Sequence, residues 1–111
     1  MSVPPEQPIA VFITAPNKEE AARLADMLVE RRLAGCVQIL PAMESVYRWQ
    51  GKIERQDEIL LIAKTVNSKF AELEREVRAL HSYETPEIVA MPLSALSGPY
   101  RQWLNASVTT E

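Results

Sequence analysis

The run Ile59-Leu60-Leu61-Ile62-Ala63 describes a strand with no polar face. Successive side chains of a strand point to opposite sides, so Ile59, Leu61 and Ala63 share one face and Leu60 and Ile62 the other. Any sheet that contains this strand must be covered twice. A second run, Ile88-Val89-Ala90-Met91, makes the same demand. A chain of 111 residues builds one core, and two helices of useful length cover only one face of its sheet. Left bare, the other face would exceed the roughly few hundred Å² of contiguous apolar surface that soluble monomers carry. The cover this implies is a copy of the same sheet, in a homo-oligomer.

The remaining elements fall around these strands. Ile9 to Ala15 is apolar and rich in β-branched residues, ends at Pro16, and predicts a first strand. Asn17 is placed to cap a helix, with Glu20 as the reciprocal partner of a capping box; Ala21, Leu24, Ala25 and Leu28 follow on one face, and the helix should stop near Gly35. Cys36 to Trp49 and Lys52 to Val66 predict a long hairpin around Gln50-Gly51, with Gly51 at positive φ after a type I turn and a bulge. Ser68 is placed to cap a second helix with the stripe Phe70, Leu73, Val77 and Leu80, and Glu74 to Arg78 is an i,i+4 pair in the favourable order. Ile88 to Leu93 predicts a fourth strand. Gly98 to Ala106 predicts a closing helix with Tyr100, Trp103 and Leu104 on one side. Strand, helix, strand, strand, helix, strand is the split βαβ order, so the fold class expected is an α+β ferredoxin-like sandwich. Its sheet would be four-stranded and antiparallel, with a long central hairpin and a C-terminal helix. Residues 1–8, with Pro4, Pro5 and Pro8, read as a flexible arm ahead of a single domain over residues 9–111.

Composition narrows the function classes. Twelve Lys and Arg against fifteen Asp and Glu give a net charge of -3, and the basic residues form no stripe that could neutralise several phosphates, which argues against nucleic acid. No segment has the roughly 18 consecutive apolar residues of a membrane span, and the first residues lack the basic start and apolar stretch of a secretory leader. Cys36 is the single cysteine, so no intramolecular disulfide forms; with the other two features this points to the cytosol.

No standard catalytic set is present, and an enzyme is not expected. The three glycines, 35, 51 and 98, sit at element boundaries, so neither a phosphate-cradling loop nor a dinucleotide fingerprint exists and no organic cofactor is implied. Cys36 and His81 alone do not make a tetrahedral zinc site, and a dyad of the two has no third group to orient it. Each has an ordinary structural role open to it: Cys36 as a core residue, His81 as a cap on the second helix. Two constellations remain. The loop from His81 through Tyr83, Glu84 and Glu87 offers imidazole, phenol and carboxylates of the kind that bind copper or zinc, with Cys36 as a further candidate ligand. On the hairpin, Tyr47, Trp49, Glu58 and Lys64 either shield an edge or, together with Tyr83 and Glu87, line a pocket between subunits. A lysine amid aromatics there would favour a small anionic ligand.

Tyr47, Trp49, Gly51, Lys52, Ile53, Glu54, Glu58, Lys64 and Thr65 resemble the central hairpin signature of the CutA proteins. Leu33-Ala34-Gly35-Cys36, the loop Tyr83-Glu84-Thr85-Pro86-Glu87-Ile88 and the closing Trp103-Leu104-Asn105-Ala106 extend the resemblance from about residue 9 to 107. It implies a ferredoxin-like subunit, a tight homotrimer in which long hairpins pair with neighbouring sheets, and a link to copper and other divalent cations. Cys36 and His81 match positions of family metal-site proposals. The chain departs from the pattern at Leu80, where some members have a second His, at Thr14, where some have Cys, and at Ser82, which replaces a Pro. Two functional classes follow: a divalent-cation tolerance or metal-binding protein, and a trimeric sensor of a small anionic ligand, similar in architecture to the PII signalling proteins. A purely structural trimer that anchors other chains is a third.

Overall fold

The structure is a computed structural model and describes residues 3–109. Its elements are β1 (Pro8–Ala15), α1 (Lys18–Glu30), β2 (Cys36–Trp49), β3 (Lys52–Val66), α2 (Phe70–Leu80), β4 (Ile88–Pro92) and α3 (Gly98–Thr109). The four strands form one sheet in the order β2-β3-β1-β4, and every neighbouring pair is antiparallel. This is the ferredoxin-like arrangement that the element order predicts.

Helices α1 and α2 close one face. Ile9, Val11, Ile13, Ile59, Leu61 and Ala63 of the sheet meet Ala21, Leu24, Leu28, Leu73 and Val77 of the helices in one buried cluster. The alternate residues of the same strands form the second face. Register pairs Leu40, Leu60 and Thr14 in one row and Gln38, Ile62, Phe12 and Val89 in the next. Helix α3 packs on β1 and β3 and buries Leu104 and Val108, which leaves Leu40, Val89, Met91 and Trp103 exposed. The doubly apolar strands thus have a covered and a half-covered side, as the sequence requires of a lone subunit.

Several ends differ from expectation. The first helix stops at Glu30, well before Gly35. Arg32 takes the left-handed position (φ 57°), its N–H donates to Val29 O, and the N–H of Leu33 donates to Leu28 O, with Leu28 and Leu33 both buried. This is a Schellman cap with arginine where glycine is usual. Gly35 serves close approach instead: a Cβ there would lie 2.8 Å from Leu104 Cδ1 and 3.2 Å from Ser107 Cβ. Ser68 caps nothing, because a 3₁₀ turn over Asn67–Lys69 precedes α2 and no side chain caps that helix. Leu80 faces out rather than completing the α2 stripe, and α3 runs three residues beyond the predicted Ala106. In the segment expected as an arm, Pro5 O accepts from Ser68 N, Gln7 O from Asn67 N, and Val3 O from Asn67 Nδ2, while Gln7 Nε2 donates to Leu93 O.

The hairpin closes on Gln50 (φ 49°) and Gly51 (φ 79°). Two successive positive φ angles make a type I′ turn, whose twist matches the strands, rather than a type I turn with a bulge. The bulge lies nine residues back. Leu40 pairs with Leu60 but Met43 pairs with Glu58, so Pro41 and Ala42 (φ 63°) together oppose Ile59. Pro41 costs no ladder bond that matters, since β2 is an edge strand. A regular ladder continued from Leu40 would pair Val46 with Glu54. With the extra residue Tyr47 pairs with Glu54 and Trp49 with Lys52, which carries both aromatics to the second face of the sheet.

Candidate functional site

Beyond Ala15, which pairs with Ile59, β1 no longer accompanies β3, and the hairpin runs on alone. In the angle between this extension and the loop that follows α2 lies a cleft of about 540 Å³. Ser45, Tyr47 and Trp49 line it from β2, Gln56 and Glu58 from β3, Thr14 from the end of β1, and Tyr83, Glu84, Thr85 and Glu87 from the loop. Of the residues predicted for a pocket, Tyr47, Trp49, Glu58, Tyr83 and Glu87 therefore come together, and Glu84 joins them.

Lys64 does not. It lies six residues along β3 from Glu58, pairs with Ala10 and Cys36, and its Nζ donates to Gln38 Oε1 at 2.5 Å. Among the described residues, no Lys or Arg lines the cleft. The pocket expected around Lys64 is one between subunits, and the cleft within one chain does not include this lysine.

The polar lining is a connected chain. Tyr47 Oη donates to Gln56 Oε1 (2.8 Å), Gln56 Nε2 donates to Tyr83 Oη (3.0 Å), and Tyr83 Oη donates to Glu58 Oε2 (2.8 Å). Glu58 is 7% exposed. Burial first, and then the hydrogen bond to the Glu58 carboxylate and its charge, push the Tyr83 phenol well above its ordinary value, so it stays a donor. Gln56 joins the two tyrosines and was not legible as a site residue. Glutamine on a hairpin carries no chemical signal of its own.

Under the loop sits a second polar group, fully enclosed. His81 Nε2 is 2.7 Å from Thr14 O and donates to it, which fixes the tautomer; Nδ1 receives the N–H of Tyr83 at 3.0 Å. Glu20 Oε2 accepts from Ser82 N (2.9 Å) and Ser82 Oγ (3.0 Å) and lies 3.2 Å from His81 Nδ1. The side chain of His81 has no exposed surface. The Tyr83 ring lies against it at 4.7 Å between centroids. Both ring nitrogens of His81 are thus hydrogen-bonded within the chain, and its side chain does not cap α2. It ties the loop to β1. Glu20 was expected to complete a capping box, and Asn17 Oδ1 does accept from Glu20 N at 2.8 Å, but the carboxylate turns to the loop instead. Its role was hidden because a capping glutamate and a buried anchor look alike in sequence.

Cys36 belongs to neither group. It pairs with Lys64, four residues along β3 from the Leu60 that pairs with Thr14, which is about 13 Å. It lies against Tyr100 of α3, whose phenol is pushed up by burial and then by the thiol. The metal set Cys36, His81, Glu84 and Glu87 is therefore divided: Glu84 and Glu87 line the cleft, His81 is sealed beneath it, and Cys36 is remote. Among the described residues no three His, Cys, Asp or Glu side chains lie close enough to hold an ion within one chain.

The family model described as CutA1 divalent ion tolerance protein matches residues 9–107. The divalent-cation tolerance protein CutA of Thermus thermophilus is 47% identical over 94 residues, covering 85% of this chain and 91% of its own. The protein named CutA, chloroplastic, of Arabidopsis thaliana is 43% identical over 99 residues, covering 89% of this chain and 54% of its own, so the chain spans about half the length of that relative. A solved structure of the periplasmic divalent cation tolerance protein CutA from Archaeoglobus fulgidus superposes with a TM-score of 0.89 at 44% identity, covering 91% of this chain and 98% of its own. The cytosolic compartment inferred from composition is overturned by these names: relatives this similar are called chloroplastic and periplasmic. Among the described residues no helix is long and apolar enough to cross a membrane.

Proposed function

The chain belongs to the CutA1 divalent ion tolerance family, and from that membership we propose that it is a divalent-cation tolerance protein that works as a homotrimer and meets the cation at the acidic cleft. The observation that carries the cation assignment is the charge of the lining: Glu58, Glu84 and Glu87 with no Lys or Arg. Glu84 and Glu87 are exposed on the loop, where an ion with part of its water shell can reach them, while Glu58 lies deeper. These are oxygen donors, which suit harder divalent ions such as manganese, calcium or magnesium. Copper prefers imidazole and thiolate, and the residues that would supply them, His81 and Cys36, are engaged or distant. The chemistry of this chain therefore favours an oxygen-donor site for divalent cations over a dedicated copper site. Two rim carboxylates do not complete a coordination shell, so water or a neighbouring subunit supplies the rest.

The trimer is supported by the uncovered apolar surface. Leu40, Val89, Met91 and Trp103 on the second face are all at least two fifths exposed. Isolated exposed side chains need no partner, but a row that continues from the buried Ala10 and half-buried Phe12 and Ile62 does.

Calorimetric titration of the chelator-treated protein with manganese at pH 7, alongside copper, tests the cation assignment. Manganese should bind, and the double change Glu84→Gln with Glu87→Gln should weaken it about tenfold or more, since each lost carboxylate removes a charge-bearing oxygen. Copper binding much tighter than manganese and unaffected by the double change would place the site elsewhere. Light scattering should give three times the 12.5 kDa chain mass.

A further inference from the structure

The hydrogen-bond chain across the cleft has a direction. Tyr47 Oη donates to Gln56, Gln56 Nε2 to Tyr83, and Tyr83 Oη to Glu58, so both hydroxyl protons are committed within the chain and run toward one carboxylate. Tyr47 Oη keeps lone pairs and the carboxylate oxygens accept, while the donors left in the lining, such as Trp49 Nε1–H and the second N–H of Gln56, carry no charge. Glu58 is more than nine-tenths buried, and among the described residues the one side chain that donates to it is a neutral phenol. A buried carboxylate without a countercharge is costly unless a cation arrives to match it. Lys52 pairs with Trp49 at the hairpin tip and is not among the lining residues.

The walls around this carboxylate are aromatic. Tyr47, Trp49 and Tyr83 present ring surfaces whose faces carry negative potential. We propose that the deep part of the cleft binds an organic ammonium ion, its N–H groups on Glu58 and its carbon body against Tyr47 and Trp49. Each alternative leaves something unmatched. An anion meets the carboxylates of Glu58, Glu84 and Glu87 with no cation in the lining to offset them. A neutral molecule leaves the Glu58 charge uncompensated. A bare metal ion makes no use of the aromatic wall. A volume of about 540 Å³ accommodates an arylalkylamine. This site goes beyond divalent-cation binding at the rim and does not depend on it.

The test uses the full chain in its assembled state, dialysed against EDTA so that metal plays no part, and titrated calorimetrically at pH 7 with phenethylammonium chloride and with uncharged 3-phenylpropan-1-ol. The ammonium should bind saturably and the alcohol at least about tenfold more weakly. Glu58→Gln keeps the shape and the Tyr83 bond but removes the charge, and should weaken the ammonium about tenfold or more while leaving the alcohol unchanged. Near-ultraviolet circular dichroism and light scattering first establish that this variant folds and assembles. If it does not, Trp49→Leu at a half-exposed site decides, with a several-fold loss expected. Absence of saturable binding, equal binding of the alcohol, or unchanged ammonium affinity in the variant that decides would overturn the proposal. Manganese binding is measured separately without EDTA, so either result can fail without the other.

Discussion

The two faces of the sheet are built from alternate residues of the same strands, yet they are finished differently. Toward α1 and α2, Val11, Ile13, Leu61 and Ala63 have no exposed surface. Toward the other side, Val89 is 54% exposed and Met91 and Leu40 nearly as much, although they are no more polar. On the first face these four residues hold the chain's own elements together, while Ile39, paired with Leu61 on edge strand β2, is 41% exposed. On the second the same residue types are left for another surface, and the acidic and aromatic cleft opens beside them. Hydrophobicity therefore says that a face must be covered; it does not say by what.

The sharpest way to break this comparison is to place a charge on each face. Leu61→Asp should abolish the native fold, because an unpaired buried charge costs several kcal/mol, and the milder Leu61→Ala should cost about 2–5 kcal/mol in urea unfolding. Val89→Asp should leave the circular dichroism of the subunit intact and lower the mass measured by light scattering. Were Val89→Asp to unfold the subunit as Leu61→Asp does, the two faces would be equivalent and the distinction would be lost.

A smaller effect is expected where α3 crosses toward the second face. Gly35→Ala puts a methyl group 2.8 Å from Leu104 Cδ1, and overpacking of this kind costs about 1–3 kcal/mol. A melting temperature unchanged by this substitution would show that α3 is loosely held and belongs with the uncovered side. The smallest effect is at the cleft. Tyr83→Phe removes the donor from Glu58 Oε2 and should destabilise by about 1–2 kcal/mol. It also has a signature in pH. The phenol is raised in the folded state, so the unfolded chain loses this proton first. Its contribution to stability is whole below the ordinary phenol value of 10.0 and is lost as pH climbs from there toward the folded value. Urea midpoints measured from pH 8 to 11 should fall more steeply for the wild type than for Tyr83→Phe; parallel curves would detach Tyr83 from Glu58.

The sheet was legible because its signals are redundant. Ile59 to Ala63 and Ile88 to Met91 announce strands whichever face is considered, and Asn17 with the Ala21, Leu24, Leu28 spacing announces a helix that tertiary structure did not override. The cleft was legible in part, because Tyr47, Trp49, Glu58, Tyr83, Glu84 and Glu87 are chemically conspicuous and stand in two compact stretches. Lys64 stands apart from the cleft of a single chain for a geometric reason. It shares β3 with Glu58, but at about 3.3 Å per residue six positions carry it some 20 Å away. The surroundings of His81 and Glu20 were hidden for another. Sequence gives residue types that can ligate or cap, whereas burial decides whether their lone pairs are free, and burial here depends on a loop folding back onto β1 across 67 residues of chain.

The bulge at Pro41 and Ala42 has a consequence for how chains of this shape can vary in length. On the inner half of the hairpin, residue numbers of paired positions are counted from the core, as in Leu40 with Leu60; on the outer half they are counted from the turn, as in Trp49 with Lys52. The two counts differ by one, and the difference is discharged at a single exposed point on an edge strand. A chain lacking Ala42 would keep every pair on both sides of the gap, and one more residue there would again move none of them. Length can drift at this spot while Tyr47 and Trp49 stay in the cleft and Val37 and Ile39 stay opposite Ala63 and Leu61, so the hairpin's outer chemistry and its inner packing are free to change on separate schedules.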